Sequence, residues 1–280
     1  MNKNLNAEKD CAPRAIPRNA ALCARTQASL AGKWQNILAM FLMVSALVTL
    51  LGMALRPSTP GRELSLSLLY FPVLVSFLTG LLNSILLQGV LRSLLQMIRG
   101  EKAAFADCFY FFRHHLRSAV TLRILIDLKL LLWWLPGVAL AGLGALLSLW
   151  VGSHLPLFFF GAMGTLLAAG MVLVALLRYD LAAFCMADSP DCTPKEALRL
   201  SISLTDGRKR QLFLLILRTM GPALFVFIAL RLAFPMLSSS PWRFALNMLL
   251  IPFQSYRYAA ASHFYLAAQK VAAVKLHQMP

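Results

Sequence analysis

Charge-free apolar stretches recur along the chain and predict membrane-spanning helices. The longest lies between Lys129 and Arg178 and contains no Asp, Glu, Lys or Arg. As one continuous helix it would be about 70 Å long, against a hydrocarbon core of roughly 30 Å. It must therefore cross a membrane twice, and Gly152, Ser153 and Pro156 mark the turn of a helical hairpin.

The same criterion predicts an all-α, polytopic transmembrane helical bundle of about six spans. The predicted spans are 34–55, 64–91, 130–151, 155–177, 212–234 and 244–268. The other parts are a basic N-terminal segment (1–33), two loops (92–129 and 178–211) and a tail (269–280). Composition agrees, because 59% of the residues are hydrophobic and 14% charged, whereas about a quarter of a soluble domain is charged.

The basic residues predict the orientation of this bundle. With the N-terminus in the cytoplasm, the segments 1–33, 92–129, 178–211 and 269–280 hold 6, 7, 6 and 2 of the 27 lysines and arginines. Such an excess is typical of cytoplasmic loops, so both termini are predicted to be cytoplasmic. The net charge of +16 then reflects topology and attraction to a bilayer with anionic headgroups rather than nucleic-acid binding.

Two amphipathic helices are predicted on the cytoplasmic side, at the membrane interface. In 103–119, apolar residues recur at three- and four-residue spacing, which favours one helix whose apolar face lies in the interface or packs on the bundle. Thr193 and Glu196 have the spacing of a capping box, and Pro194 suits the first helical position. A helix over 194–206 follows, with Gly207 as its stop.

Several short motifs resemble those of a bacterial integral membrane protein family, the domain of unknown function 975. They are Ala24-Arg25 with Gly32-Lys33-Trp34, Leu131 to Gly137, Arg178-Tyr179 followed by Asp188-Ser189-Pro190, Ala197-Leu198, Ser201, Gly207 and Leu212-Phe213, and Ile251-Pro252-Phe253 with Phe264-Tyr265. The resemblance implies a helical bacterial membrane protein and supplies no catalytic residues. The chain departs from the family pattern by the extra span at 155–177 and by Phe253 where Tyr is usual.

Polar residues within predicted spans are costly and are the first candidates for a functional site. The candidate intramembrane site consists of Arg257, Gln254, Tyr256 and Arg218, with Asn83 as a further member. Each arginine also has a purely structural interpretation, in which it reaches the interface or bonds to a carbonyl. Small residues at four-residue spacing in the third and fourth spans favour close packing of the hairpin over contact with a second copy.

A second candidate is the basic run Arg208, Lys209 and Arg210, interpreted as a headgroup anchor before the fifth span. Asp188-Ser189-Pro190 is interpreted as a turn, and nothing in the spacing brings Asp180 and Asp188 together. Adjacent His114 and His115 point to different sides of a helix. No catalytic, cofactor or metal site is therefore predicted, and no ATPase, zinc-protease or serine-hydrolase motif is present.

The leading hypothesis is a non-enzymatic accessory or envelope-homeostasis protein of the bacterial inner membrane. The alternative is a transporter or permease subunit for a small solute or lipid. A transporter would gather Arg257, Gln254, Tyr256, Arg218 and Asn83 around one cavity, whereas an accessory protein would scatter them or bury them singly. Other membrane proteins or a second copy of the chain are candidate partners.

Overall fold

The computed structural model describes residues 16–55, 66–233 and 240–277, with the backbone alone at 66–70, 231–233, 240–247 and 275–277. Over these ranges all regular structure is helical, which confirms the predicted all-α bundle. The helices are α1 (Asn19–Leu30), α2 (Trp34–Ala54), α3 (Leu66–Arg99), α4 (Tyr110–His114), α5 (Leu116–Val151), α6 (Leu155–Tyr179), α7 (Ala182–Asp188), α8 (Pro194–Thr205), α9 (Lys209–Ala233) and α10 (Ser240–His277).

Five of the described helical segments are long and apolar enough to cross a membrane: Trp34–Ala54, Phe71–Arg99, Leu116–Val151, Leu155–Asp188 and Lys209–Leu230. Each of them overlaps one of the first five predicted spans. The sixth predicted span, 244–268, lies inside α10 and is not among these five, so its passage through a membrane stays a prediction. Residues 64 and 65, at the start of the second predicted span, lie outside the described residues.

α5 and α6 form the predicted hairpin, and small residues let their backbones approach closely. A Cβ atom on Gly164 would lie 2.5 Å from the carbonyl oxygen of Gly137, and one on Gly144 would lie 2.6 Å from Cβ of Phe160. Gly152 turns the chain between the helices with φ of +69°. The predicted use of small residues for hairpin packing is thus confirmed, and it follows the usual logic of helix pairs in lipid.

The core lies where α2, α3, α7, α8 and α10 meet. Alanines of α10 at 259, 260, 261 and 268 are almost fully buried, so this helix approaches its neighbours closely. Phe184 of α7 and Phe264 of α10 are fully buried and fill the space beside these alanines. Two of the largest fully buried side chains therefore lie where α7 and α10 meet.

The segment 103–119 differs from the single helix predicted for it. It contains a 3-10 turn (Phe105–Phe109) and the short helix α4, and the backbone breaks at His115 before α5. Packing against α3 overrides the helical pattern here, because the Cys108 carbonyl lies where a Cβ atom on Gly89 would collide with it. The guanidinium carbon of Arg92 also lies 3.8 Å from the centre of the Tyr110 ring.

The predicted apolar face of this segment is divided between two environments. Cys108 and Ala119 are buried in the bundle, whereas Phe105, Phe112 and Leu116 are exposed. Packing on the bundle is therefore established for part of the segment. The location of the exposed side chains Phe105, Phe112 and Leu116 in the membrane interface stays a prediction.

Candidate functional site

Two aspartates flank the short helix α7, and both are bonded to α10. The first, Asp180, directly follows α6, and its Oδ1 accepts a hydrogen bond of 2.6 Å from Nη2 of Arg257. Their side chains are 17% and 22% exposed, so the ion pair is mostly excluded from solvent. Among the described residues, Oδ2 of Asp180 and Nε of Arg257 have no hydrogen-bond partner, so one bond rather than a bidentate fork joins the pair.

Aromatic rings surround this ion pair on the α10 side. The guanidinium carbon of Arg257 lies 5.0 Å from the centre of the Tyr258 ring, a distance at which the ring face attracts a cation. Tyr258 is stacked on Phe41 of α2, with 5.5 Å between ring centres. The pair therefore connects α7 to α10 and, through Tyr258, to α2.

The second aspartate, Asp188, ends α7 and has three partners. Its Oδ1 lies 2.5 Å from Nη2 of Arg99 at the end of α3. Its Oδ2 accepts hydrogen bonds from the Tyr265 hydroxyl at 3.1 Å and from Nε2 of Gln269 at 3.3 Å. The carboxylate is 7% exposed, so these donors satisfy a charge that is largely buried. We call Arg99, Asp180, Asp188, Arg257 and Tyr265 the charged cluster.

The register of the charged cluster is regular. Asp180 and Asp188 are eight residues apart, and so are their α10 partners Arg257 and Tyr265, since each bonded pair is separated by 77 positions. The segment from Asp180 to Asp188 and α10 therefore run in the same direction. The spacing of Asp180 and Asp188 alone did not indicate that both carboxylates bond to α10. The same eight-residue interval between Arg257 and Tyr265 is nevertheless visible in the sequence.

α8 is capped as predicted and is tied to α6. The amide of Glu196 donates to the Thr193 hydroxyl at 3.3 Å, and the Thr193 amide donates to the Glu196 carboxylate at 3.0 Å. These hydrogen bonds lower the pKa of Glu196 from its ordinary value. Ser201 donates to the carbonyl of Arg178 at 2.8 Å, and Gly207 follows the helix with φ of +71°. Helix 194–206 is thus confirmed to within one residue.

The N-terminal helix α1 lies against the ends of α9 and α10. Asn19 donates to the carbonyl of Gln211 at 3.0 Å, and Gln211 returns a bond to the carbonyl of Pro17 at 2.8 Å. Ser29 is 2.8 Å from Nε2 of His263. This part of the basic N-terminal segment is therefore packed on the bundle.

The residues of the candidate intramembrane site lie in different surroundings. Arg257 pairs with Asp180. The Tyr256 hydroxyl lies 3.5 Å from the carbonyl oxygen of Cys23, and its ring lines a recess beside Trp34. Gln254 lines another cavity together with Asn83. Arg218 has an exposed side chain on α9 and interacts electrostatically with Tyr256. The only two of these five residues that share a cavity are thus Gln254 and Asn83, as far as the described lining residues go.

The candidate headgroup anchor begins α9. Arg208 and Lys209 are half-buried and Arg210 is exposed. Nζ of Lys209 is 4.0 Å from Oδ1 of Asp206, at the limit of an ion pair, and the Asp206 side chain is largely in solvent. Two of the three cations are therefore not paired with a carboxylate in the described structure, which leaves them available to anionic groups.

Nothing in the described part of the chain assembles three or more His, Cys, Asp or Glu side chains as metal ligands. The cysteines there, at 23, 108, 185 and 192, are free thiols. Burial raises the pKa of Cys108 to about 11, and partial burial beside the Glu196 carboxylate raises that of Cys192. A raised pKa at Cys108 and Cys192 is the opposite of what activates a thiol as a nucleophile.

The helical bundle, its five long apolar helices and its paired internal charges indicate a membrane protein. The family model "Protein of unknown function (DUF975)" matches residues 19–272. The chain therefore belongs to that family, as its sequence motifs suggested. Comparison with curated proteins gave no match, and neither did comparison with solved structures.

Proposed function

We propose that the protein is a non-enzymatic accessory or envelope-homeostasis component of the bacterial cytoplasmic membrane. The supporting observation is the separation of its polar intramembrane residues: Arg257, Tyr256 and Gln254 lie in three different surroundings. A transport path would bring such residues to one continuous cavity. The charges of α7 and α10 instead join helices to one another, which is a structural use.

Six spans with both termini in the cytoplasm form the proposed topology, supported by the excess of lysine and arginine in four segments. The charged cluster then faces the cytoplasmic side. Alkaline phosphatase fused after Arg62 or Ser239 is expected to be active, and fusions after Lys102 or Lys209 inactive. An inactive fusion after Ser239 would mean that the fifth span does not cross the membrane, and an inactive fusion after Arg62 would mean the same of the first; either result would overturn the six-span topology.

Anionic headgroups are the proposed surface partner, and nucleic acid is not. Arg208 and Arg210 supply cations that no described carboxylate pairs, with Lys209 between them. Arg113 and Arg117 lie among the exposed Phe105, Phe112 and Leu116. Cations interleaved with aromatic and aliphatic side chains suit an interface, where the rings enter the acyl region and the cations meet phosphate. Other membrane proteins or a second copy of the chain stay candidate partners.

Deletion and complementation test this role. A strain lacking the protein is expected to become sensitive to detergents and to agents that damage the envelope, and the wild-type chain is expected to restore resistance. Complementation should fail with Asp180→Ala, which breaks the buried ion pair with Arg257. It should succeed with Asp127→Ala, which breaks the more exposed pair with Arg123. Unchanged envelope resistance in the deletion strain would overturn the proposal.

A transporter or permease subunit is the second candidate, favoured by the shared cavity of Gln254 and Asn83. Under this hypothesis the deletion strain loses uptake or export of one solute or lipid while its envelope stays intact. Asn83→Leu would then abolish the flux without changing the amount of folded protein in the membrane.

A further inference from the structure

A polar groove runs between α2, α3 and α10 at the end of the bundle away from the charged cluster. The uncharged polar side chains that line it are Ser45, Thr49, Ser76, Thr79, Asn83 and Gln254. Its volume is about 360 Å³. Ser76 and Thr79 also line an adjoining apolar recess of about 430 Å³ that reaches Leu55 and Phe71. Together the two spaces fall within the size range of small-molecule sites.

The groove presents hydrogen-bonding groups that the protein itself does not use. Among the residues that the structure describes, the side-chain amides of Asn83 and Gln254 have no hydrogen-bond partner. The Thr49 and Thr79 hydroxyls donate to carbonyls of their own helices, at 2.7 Å to Ser45 and 2.8 Å to Val75. Their oxygens are therefore left as acceptors. The groove offers both donors and acceptors to a ligand.

The position of the groove along α3 places it at lipid depth. Asn83 lies 16 residues before Arg99, about 24 Å along the helix, and Ser76 lies about 35 Å away. With Arg99 at one boundary of a hydrocarbon core of roughly 30 Å, the groove extends from the far half of the core to the opposite boundary. Polar side chains at that depth are costly unless they face protein, water or a polar ligand.

Charge decides which lipid the groove fits. None of the described residues that line the groove or the recess is ionisable. A phosphate group placed against these described residues would lose its hydration without gaining a cation from them. Hydroxyl and ester groups match amide donors and hydroxyl acceptors without this cost. The apolar recess beside Phe71 and Pro72 suits the start of an acyl chain.

We propose that the groove binds an uncharged lipid whose head carries hydroxyl and ester oxygens, the chemistry of diacylglycerol. The free hydroxyl and one ester lie against Asn83 and Gln254. The acyl chains leave through the recess between α2 and α3. This inference is independent of the accessory role, since a lipid held in the groove is compatible with either candidate function.

Photolabelling tests the proposal. Wild-type protein in phosphatidylcholine nanodiscs is exposed to a trace of diacylglycerol carrying a diazirine near its head, irradiated, and digested for mass spectrometry. We expect the label on peptides that contain Ser76 to Asn83. The double variant Asn83→Leu/Gln254→Leu keeps the side-chain volumes but removes both amides, and is expected to label about ten-fold less, as for two lost hydrogen bonds.

The matched control is Asn36→Leu, which removes an exposed amide in the first turn of α2, outside the groove; its labelling should equal that of wild type. Gly52→Leu retains both amides and narrows the apolar recess, which Gly52 lines, so it keeps the test informative if the double variant fails to fold. Unchanged labelling in both variants overturns the proposal. Equal labelling by a diazirine phosphatidylglycerol also overturns it, as does labelling of these positions by a water-soluble diazirine alone.

Discussion

The α5–α6 hairpin is packed through glycine and alanine, whereas α7 is bonded to α10 through carboxylates, arginine and tyrosine. In the hairpin, Gly137 and Gly164 bring two backbones together, and the large side chains point outward; Trp150 is 87% exposed and Phe158 79% exposed. Beside the charged cluster, the large side chains of Phe184 and Phe264 are fully buried. The two regions use opposite distributions of large and small residues.

This difference follows from the surroundings of each region. In a bilayer, outward Leu, Phe and Trp are solvated by acyl chains, so burying them gains little and close backbone contact holds the helices together. At the charged end, polar side chains can pair and apolar ones can leave water, so a conventional core forms. A larger side chain in the hairpin contact should therefore destabilise the hairpin. In the charged cluster, the loss of a hydrogen-bonding or charged partner should be destabilising.

The largest expected effect is in the charged cluster. Asp180→Ala leaves Arg257 without its carboxylate, and we expect a loss of about 3 kcal/mol in the free energy of unfolding, the lower end for a buried pair because both side chains keep some exposure. Denaturant unfolding of the detergent-solubilised protein, followed by tryptophan fluorescence, measures it.

The control for this variant is Asp127→Ala, which breaks an ion pair with Arg123 one turn away on the same helix. Those side chains are 39% and 36% exposed, so the expected loss is below about 1 kcal/mol. Asp180→Ala combined with Arg257→Ala should recover part of the stability, because no unpaired charge then stays buried. Equal losses from Asp180→Ala and Asp127→Ala would contradict the assignment of Asp180 to a buried cluster.

In the hairpin, the expected effect is smaller and comes from overpacking. Gly164→Leu would push its side chain into the Gly137 carbonyl, and we expect about 1–3 kcal/mol of destabilisation. Hydrogen exchange should show faster exchange in both helices near the contact and unchanged exchange in α7. Gly170→Leu is the matched control, since nothing lies within 4 Å of a Cβ atom there. The same loss in both variants would show that the hairpin is not held by this contact.

The two regions also differ in how far sequence alone could predict them. The hairpin was predictable because its evidence is local: an uninterrupted apolar run, a Gly-Ser turn and small residues one helical turn apart. The bond between Asp180 and Arg257 joins positions 77 apart and depends on how α7 and α10 are placed side by side. Arg257 was therefore assigned to a candidate site with Gln254, only three residues away, although the two side chains face different neighbours.

Local evidence also failed where tertiary packing was stronger. The spacing of apolar residues in 103–119 predicted one helix, but the fit of Cys108 against Gly89 and of Tyr110 under Arg92 breaks it. By contrast, the capping box of α8 was predicted correctly because the bonds between Thr193 and Glu196 join residues only three positions apart. Sequence patterns were thus reliable where an element is stabilised by its own residues.

The capping box gives a third, smaller effect. Thr193→Ala removes the hydroxyl that accepts from the Glu196 amide, and we expect about 1 kcal/mol of local destabilisation. Hydrogen exchange at the first amides of α8 measures it, with Thr193→Ser as the variant that keeps the acceptor. Because α8 is bonded to α6 through Ser201, global unfolding should change less than local exchange. A loss in Thr193→Ser as large as in Thr193→Ala would show that the cap is not the cause.

The smallest expected effect is the pH dependence of the stability that the capping box gives to α8. The α5–α6 hairpin should not show this pH dependence. The backbone and side-chain hydrogen bonds from Thr193 lower the pKa of Glu196 in the folded protein, so its carboxylate stabilises α8 above the ordinary glutamate range. That contribution is lost as pH falls through the lowered pKa. Protection factors of the first α8 amides should therefore fall on acidification in wild type and stay flat in Glu196→Gln, which does not titrate.

The α5–α6 contact contains no ionisable group between Lys129 and Arg178 except His154, so its protection should not change over this acidic range. A parallel fall in both regions would mean that acidification opens the whole bundle, and that the cap does not act locally.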